Sequence, residues 1–216
     1  MSFWSSEKLK NRLSNKIIIP YNEKNIKYGA YELALGKEYY TTDEKTKKKR
    51  VLETSEQLSI KPGQFALLTS EEWISVPSTN LCFISIKAGI KFRGLVNISG
   101  FHVDPGYFGH LKFSVYNAGS QNINVTQGKP LFMVWFADLD QETSDLYKGN
   151  NGGVEAIKSD DVMNISGDIP SPAELFQEMK EMKKALQFWK NVFVTLSFSI
   201  ISGLVVFFFK KFWDAQ

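Results

Sequence analysis

The stretch VDPGYFGHLKFSVYNAG, Val103 to Gly119, holds the groups whose types and spacing come nearest to chemistry. Asp104 opens an Asp-Pro-Gly turn, His110, Lys112 and Ser114 follow on one strand, and His102 lies just upstream. A carboxylate, imidazole or amine placed this way can carry a proton or hold an anion. Each also has a plainer reading. Asp before Pro-Gly is a good turn former, because its side chain can bond its own backbone. Lysine is protonated at neutral pH unless strongly desolvated, so Lys112 is a poor base. A serine hydroxyl such as that of Ser114 has no useful basicity near neutrality. His102 and His110 are the only histidines, and without a Cys/His cluster they make no zinc site. Lying on opposite sides of a turn, they are expected at the surface or at a subunit contact. The single cysteine, Cys82, lies in the apolar run LCFISI and reads as a buried, inert thiol. It rules out an intramolecular disulfide and fits a reducing compartment. No G-x-S-x-G, P-loop or dinucleotide fingerprint occurs.

The elements that must position these residues are strands. Between Ile17 and about Asp138, runs such as YELALG, QFALLTS, EWISVP, LCFISIKAGI, GLVNISGFHV, HLKFSVYNAG and PLFMVWF are rich in β-branched and aromatic residues. Gly, Pro, Asn or Asp punctuates them. No convincing long helix intervenes, so the body is predicted to be mainly β, a barrel or jelly roll rather than α/β. Phe3, Trp4, Leu9 and Leu13 predict a short N-terminal helix docked on that body, with an interfacial membrane helix as the alternative. DEKTKKKR, Asp43 to Arg50, reads as the tip of a solvated hairpin, with phospholipid headgroups as a loose partner. The net charge of +3 is too small to imply nucleic acid, and none is expected as a partner.

The rest of the chain divides by composition. Residues 1–140 form the β domain, and 141–171 are a polar linker or lid containing KGNNGG and SGDIPSP. A helix is predicted from 172 to 190, with Ser171 as its cap, Pro172 in the first turn and Glu174 as the capping-box acid. Its apolar residues Leu175, Met179, Met182, Leu186 and Trp189 recur at alternating steps of four and three, the spacing of an oligomerising coiled-coil seam. One amphipathic helix packed on its own β domain is the alternative. Residues 191–211 are predicted to be a single transmembrane helix. Val192 to Phe209 carries no charge, and eighteen residues at 1.5 Å rise span roughly 27 Å, close to a hydrocarbon core. Lysines and Trp189 and Trp213 flank it as interfacial anchors. A lipid bilayer is therefore the expected partner. With no N-terminal signal pattern, the β domain is expected in the cytoplasm, anchored by its C-terminus.

The motifs quoted so far, in this order and spacing, resemble the dCTP deaminase/dUTPase superfamily, and its deaminase branch more closely. AYELALGKEYY, IKPGQFALLTSEEWISVP, GLVNISGFHVDPGYFGHLKFSVYNAG and GKPLFMVWF carry the resemblance, from roughly Trp4 to Phe136. It implies a homotrimer with nucleotide sites between subunits and, in active members, Mg2+ bound with the triphosphate. Active deaminases place a proton-shuttling Glu three residues before the Asn of this strand, where this chain has Ser114 before Asn117. Their Arg-Ser-Ser segment aligns with Ile86-Lys87-Ala88, and a downstream phosphate-binding Arg aligns with Lys91, beside Arg93. Lysines can hold phosphate as point charges, without arginine's bidentate geometry; solvated lysines along a strand are the alternative. In the dUTPase branch an Asp in the turn equivalent to Asp104 activates water. The resemblance thus implies a nucleotide-binding set of Lys87, Lys91, Arg93, Asp104, Tyr107 and Ser114. Asp104 is its catalytic candidate, and no metal ligand belongs to the protein itself. Tyr147 to Gly153 faintly resembles the lid that closes over nucleotide.

Three functions follow. The first is a membrane-anchored, catalytically degenerate nucleotide binder acting as sensor or effector through its transmembrane bundle, for instance against phage that disturb nucleotide pools. The second is an active, tethered dCTP deaminase or dUTP pyrophosphatase. The third is a membrane scaffold whose pocket is plugged by Tyr107 and Phe108.

Overall fold

The computed structural model describes residues 2–13, 16–42, 48–149, 157–165 and 172–213. Most of the DEKTKKKR tip, the Asn150–Gly153 part of the lid motif and the helix cap Ser171 lie outside them. The chain forms two compact units, Met1–Ala173 and Glu174–Gln216.

The first unit contains β1 (Ser2–Phe3), α1 (Ser6–Arg12), β2 (Ile18–Ile19), a 3-10 turn (Glu23–Asn25), β3 (Ile26–Lys27), β4 (Ala30–Thr41), β5 (Arg50–Val51) and β6 (Gln57–Ile60). It continues with β7 (Phe65–Ser75), β8 (Asn80–Ile86), α2 (Ala88–Lys91), β9 (Leu95–Asn97), β10 (His102–Val103), β11 (Phe108–Asn117), β12 (Ile123–Thr126), β13 (Pro130–Asp138) and α3 (Ser159–Ile165). The main path of the large sheet runs β10-β8-β13-β4-β7-β11-β9, while β6 and β12 pair separately. The mainly β prediction holds.

Alternation along β11 makes this sheet one-sided. Gly109, Leu111, Phe113, Val115 and Asn117 point inward and are buried, while His110, Lys112, Ser114 and Tyr116 on the other face are half-buried. Phe113 stacks on Phe132 of β13 with ring centroids 3.7 Å apart. β11 and β13 are separated by two strands along the sheet, so the sheet curls to bring its two inner faces together. Fully burying such side chains contributes about 1.5–3 kcal/mol each.

Several predicted runs are divided or joined differently in three dimensions. QFALLTS and EWISVP are one continuous strand, β7. GLVNISGFHV is two strands that serve different neighbours: β9 pairs with β11, and β10 with β8. LCFISIKAGI stops being a strand at Ile86 and turns into α2. At the N-terminus Trp4, Leu9 and Leu13 are buried, so α1 is docked on the domain and does not present an apolar face to an interface. Phe3, by contrast, belongs to β1 and is 58% exposed. Asp138 of β13 fixes this corner, accepting from Trp4 Nε1 at 2.8 Å and pairing with Lys8. Those donors hold its carboxyl at about 2.

A long irregularity interrupts β11 against β7. His110 faces Trp73 and Lys112 faces Thr69, so Leu111 stands alone opposite three residues. Ser70 closes the gap by accepting from the Leu111 amide at 2.8 Å and donating to the Glu72 carbonyl at 2.7 Å. Glu72 turns inward and accepts from the Ala34 amide at 2.9 Å. Burial pushes its carboxyl up to about 7. His110 is likewise half-buried, with Nδ1 2.9 Å from the Ser70 carbonyl. Its ring packs against Trp73, which faces it across the strand pair.

The second unit is α4 (Pro172–Trp213), a continuous helix. It includes a segment, Leu175–Phe207, long and apolar enough to cross a membrane by length and composition. Leu175, Met179, Met182, Leu186 and Trp189 are all exposed on this unit. Thr195, Ser197 and Ser199 each donate to the carbonyl four residues earlier, at 2.8–3.0 Å, so the helix satisfies its own hydroxyls along the apolar run.

Candidate functional site

The Asp104-Pro105-Gly106 turn is built by backbone geometry. Gly106 has φ +82°, a conformation that disfavours side chains. Its amide donates to Val76 at 2.8 Å, and the Tyr107 carbonyl accepts from the Val76 amide at 2.9 Å. A Cβ at Gly106 would lie 2.8 Å from Leu146 Cβ, so glycine also lets the segment after β13 cross the turn. That segment is fastened stepwise: the Leu139 amide to Thr79 at 2.9 Å, Thr143 to Ser78 at 3.1 Å and Tyr147 to Pro105 at 2.8 Å. The Tyr147 ring comes to rest 5.5 Å from Tyr107.

Between turn, strap and sheet lies a cavity of about 230 Å³. Its walls include Asp104, Tyr107, Lys112 and Tyr147, together with His102 and Ser99. Tyr107 is held by its hydroxyl, which donates to the His110 carbonyl at 2.6 Å. Desolvation keeps that phenol protonated far above neutrality, so it serves as a neutral donor. The Asp104 carboxylate meets His102 Nε2 at 3.3 Å, and both are partly open to solvent. Asp104 therefore has a side-chain partner across the cavity mouth in addition to its place in the turn. Lys112 is the one Lys or Arg among the described lining residues. Its amine meets Asp161 of α3 at 2.9 Å. Burial opposes ionisation of Asp161, but Lys112 and the Lys158 amide outweigh it and hold the carboxyl below its usual range.

The structure brings together only part of the predicted set. Asp104 and Tyr107 converge on the cavity, whereas Lys87, Lys91, Arg93 and Ser114 are not among its lining residues. Lys87 pairs with Glu32 at 2.5 Å. Lys91 ends the four-residue α2, and Arg93 follows it; both are exposed. Ser114 lies on the same face as Lys112, opposite Leu67, and its carbonyl accepts from the Ile98 amide at 2.8 Å. Phe108 does not plug the cavity: it is 44% exposed and packs on Trp73. Cys82 is fully buried and burial pushes its thiol up, as its apolar run predicts.

Sequence reasoning weighed Lys112 only as a poor base and left out Asp161 altogether. Asp161 had no signal in a stretch read as a polar linker. In fact Ile157 and Val162 from that stretch are buried with Tyr40 and Leu67, so 157–165 belongs to the β domain's packing. For Mg2+, no cluster of three or more His, Cys, Asp or Glu is placed to hold a metal among the described residues. Asp104, engaged with His102, does not make one.

A family model described as dCTP deaminase-like matches residues 3–139. A dUMP-forming dCTP deaminase of Aquifex aeolicus is 25% identical over 169 residues, 74% of this chain and 88% of that protein. A dCTP deaminase of Pyrococcus abyssi is 26% identical over 141 residues, 65% of this chain and 88% of its own length. The solved 2'-deoxycytidine 5'-triphosphate deaminase of Agrobacterium tumefaciens superposes with a TM-score of 0.52 at 11% identity, over 62% of this chain. It shares the fold, and this chain spans only 48% of its length.

Proposed function

The chain belongs to the dCTP deaminase-like family, and we propose that it is a membrane-anchored member that binds a nucleotide without deaminating it. One observation carries this reading. The cavity keeps Asp104, Tyr107 and Tyr147 together, while the position that active relatives give to a proton-shuttling Glu is Ser114, off the lining. Tyr107 and Tyr147, packed together at 5.5 Å, give the cavity an aromatic wall against which a base can lie. The volume falls below the roughly 300–1,000 Å³ of pockets that enclose drug-sized ligands. The outer phosphates then extend beyond it, and any Mg2+ arrives with them. Deamination needs a group that takes a proton from water and returns it to the ring. A serine hydroxyl cannot do so at neutral pH.

The proposed assembly is a homo-oligomer, most simply a trimer, whose neighbouring subunit completes the cavity. Phe92, Val96, Ile98 and Phe101 are 48–89% exposed beside the cavity residues Ser99 and Gly100. An apolar cluster of that kind suits a protein partner. The seam Leu175, Met179, Met182, Leu186 and Trp189 then joins the helices, residues 191–211 cross the bilayer, and the β domain faces the cytoplasm. Such a molecule reports a nucleotide level to the membrane as sensor or effector.

The test is calorimetry on the detergent-solubilised full chain with a nucleotide panel and Mg2+, alongside product assays on dCTP and dUTP. Saturable binding with no product is expected. Silence across the panel ends the nucleotide reading. Turnover that Asp104→Asn abolishes ends the degenerate one and makes the protein a tethered enzyme.

A further inference from the structure

Lys112 is shared between two structures that the sequence gives no reason to connect. On one side it lines the cavity. On the other its amine holds Asp161 of α3 at 2.9 Å. Other holds on this segment are an apolar cluster, with Phe65 and Ile165 packed beside it, and a backbone bond. Ile157 and Val162 pack on Tyr40 and Leu67, and the Ile157 amide donates to Glu38 Oε2 at 2.8 Å. Asp161 otherwise receives the Lys158 amide at 3.0 Å. Among the described lining residues Lys112 is the one Lys or Arg; Lys87, paired with Glu32, Lys91 and Arg93 are not among them.

We infer that Lys112 takes the anionic group of the ligand that enters this cavity, in exchange for Asp161, and that the exchange loosens α3 from the β domain. The inference rests on the nucleotide reading and adds to it a phosphate contact and an output. An ammonium can turn from one oxyanion to another, because it is a compact charge with rotatable donors on a flexible stem. A phosphate carries more charge and more acceptor oxygens than a carboxylate, so it competes well for that ammonium. Asp161 left without Lys112 keeps the Lys158 amide and the nearby Lys158 charge but loses its ammonium hydrogen bond, a poorer state than the paired one. The binding energy of the phosphate is thereby spent partly on undocking. Residues 157–165 precede α4 in the chain, so the exchange acts on the part of the first unit that is nearest in sequence to the helix.

The experiment is hydrogen exchange on the full chain in detergent, read at the amides of 157–165, together with nucleotide titration. Saturating deoxynucleoside triphosphate should raise exchange in this segment, and the corresponding deoxynucleoside should not. Asp161→Asn should raise the same exchange without ligand and tighten nucleotide binding. Lys112→Met should weaken nucleotide binding about tenfold or more, the value of one charged hydrogen bond. A nucleotide that binds yet leaves 157–165 equally protected overturns the exchange, as does a deoxynucleoside that loosens α3 equally well. Unchanged affinity in Lys112→Met overturns the phosphate contact while leaving nucleotide binding standing. No binding by wild type at any nucleotide overturns the proposal together with the reading beneath it. The ligand-free Asp161→Asn measurement separates these cases, because an unloosened α3 there refutes the latch whatever the nucleotides do.

Discussion

Phe113 and Phe198 are the same residue in opposite circumstances. Phe113 is fully buried and stacked on Phe132, whereas Phe198 on α4 is 70% exposed. The contrast extends to their surroundings. In the β domain an apolar side chain is covered by the chain's own strands, and a buried polar one such as Asn117 bonds the Ile60 and Gln121 carbonyls. On α4 hydroxyls such as those of Thr195, Ser197 and Ser199 bond within the helix, and the apolar side chains of its membrane-compatible run are exposed along the helix. The β domain is stabilised by its own packing. In the proposed membrane-anchored form the helix takes its cover from an apolar phase or from neighbouring helices.

Substitutions at matched positions sharpen that contrast. Phe113→Ala should cost about 3–5 kcal/mol in denaturant unfolding of the β domain, the range for a large buried aromatic. Phe198→Ala should leave that transition within about 0.5 kcal/mol. Equal losses at both positions would break the comparison. Ile200→Arg should oppose membrane insertion by about 2.5–3.5 kcal/mol, read as a shift of the full chain from the membrane to the soluble fraction. An unchanged distribution would show that the helix is covered by something other than lipid.

Glu72 tests the inner environment by pH. Its folded carboxyl titrates near 7, against an ordinary value of 4.5. Between those values the unfolded chain has lost the proton that the folded chain retains, so stability falls as pH rises across that window. The contribution should amount to about 2–3 kcal/mol between pH 4.5 and 7. Glu72→Gln should flatten that slope in a series of unfolding curves. A slope that survives the substitution places its origin elsewhere. The smallest effects are expected from Lys91→Ala and Arg93→Ala, which face outward in the same domain. Each should change stability by less than about 0.5 kcal/mol and leave nucleotide affinity within about twofold. A tenfold loss would return the α2 segment to the site.

Legibility tracked the range of the forces involved. The strands of β11 and β13, the N-terminal helix and the long apolar helix could be read because each rests on a local pattern: alternation at period two, or a long uncharged run. The Asp-Pro-Gly turn and Tyr107 were legible for the same reason, since turn and strand are adjacent in sequence. α3 was missed because Ile157 and Val162 are two apolar residues in a polar stretch, too few to make a period. The partner of Lys87 was not legible, because Glu32, which pairs with it, lies 55 residues earlier in the chain.

By itself the sequence determined the class of the body, its family motifs, the Asp104–Tyr107 turn and the presence of a membrane-compatible helix. Those properties follow from neighbouring residues and survive any small error in pairing. Only the tertiary structure decided which charges reach the cavity. A sheet side chain changes face with a single-residue shift of register, and a bulge at Leu111 sets the register from which Lys112 reaches both the cavity and α3. Convergence of residues 99, 104, 112 and 147 depends on the curl of the whole sheet, and no local pattern encodes it.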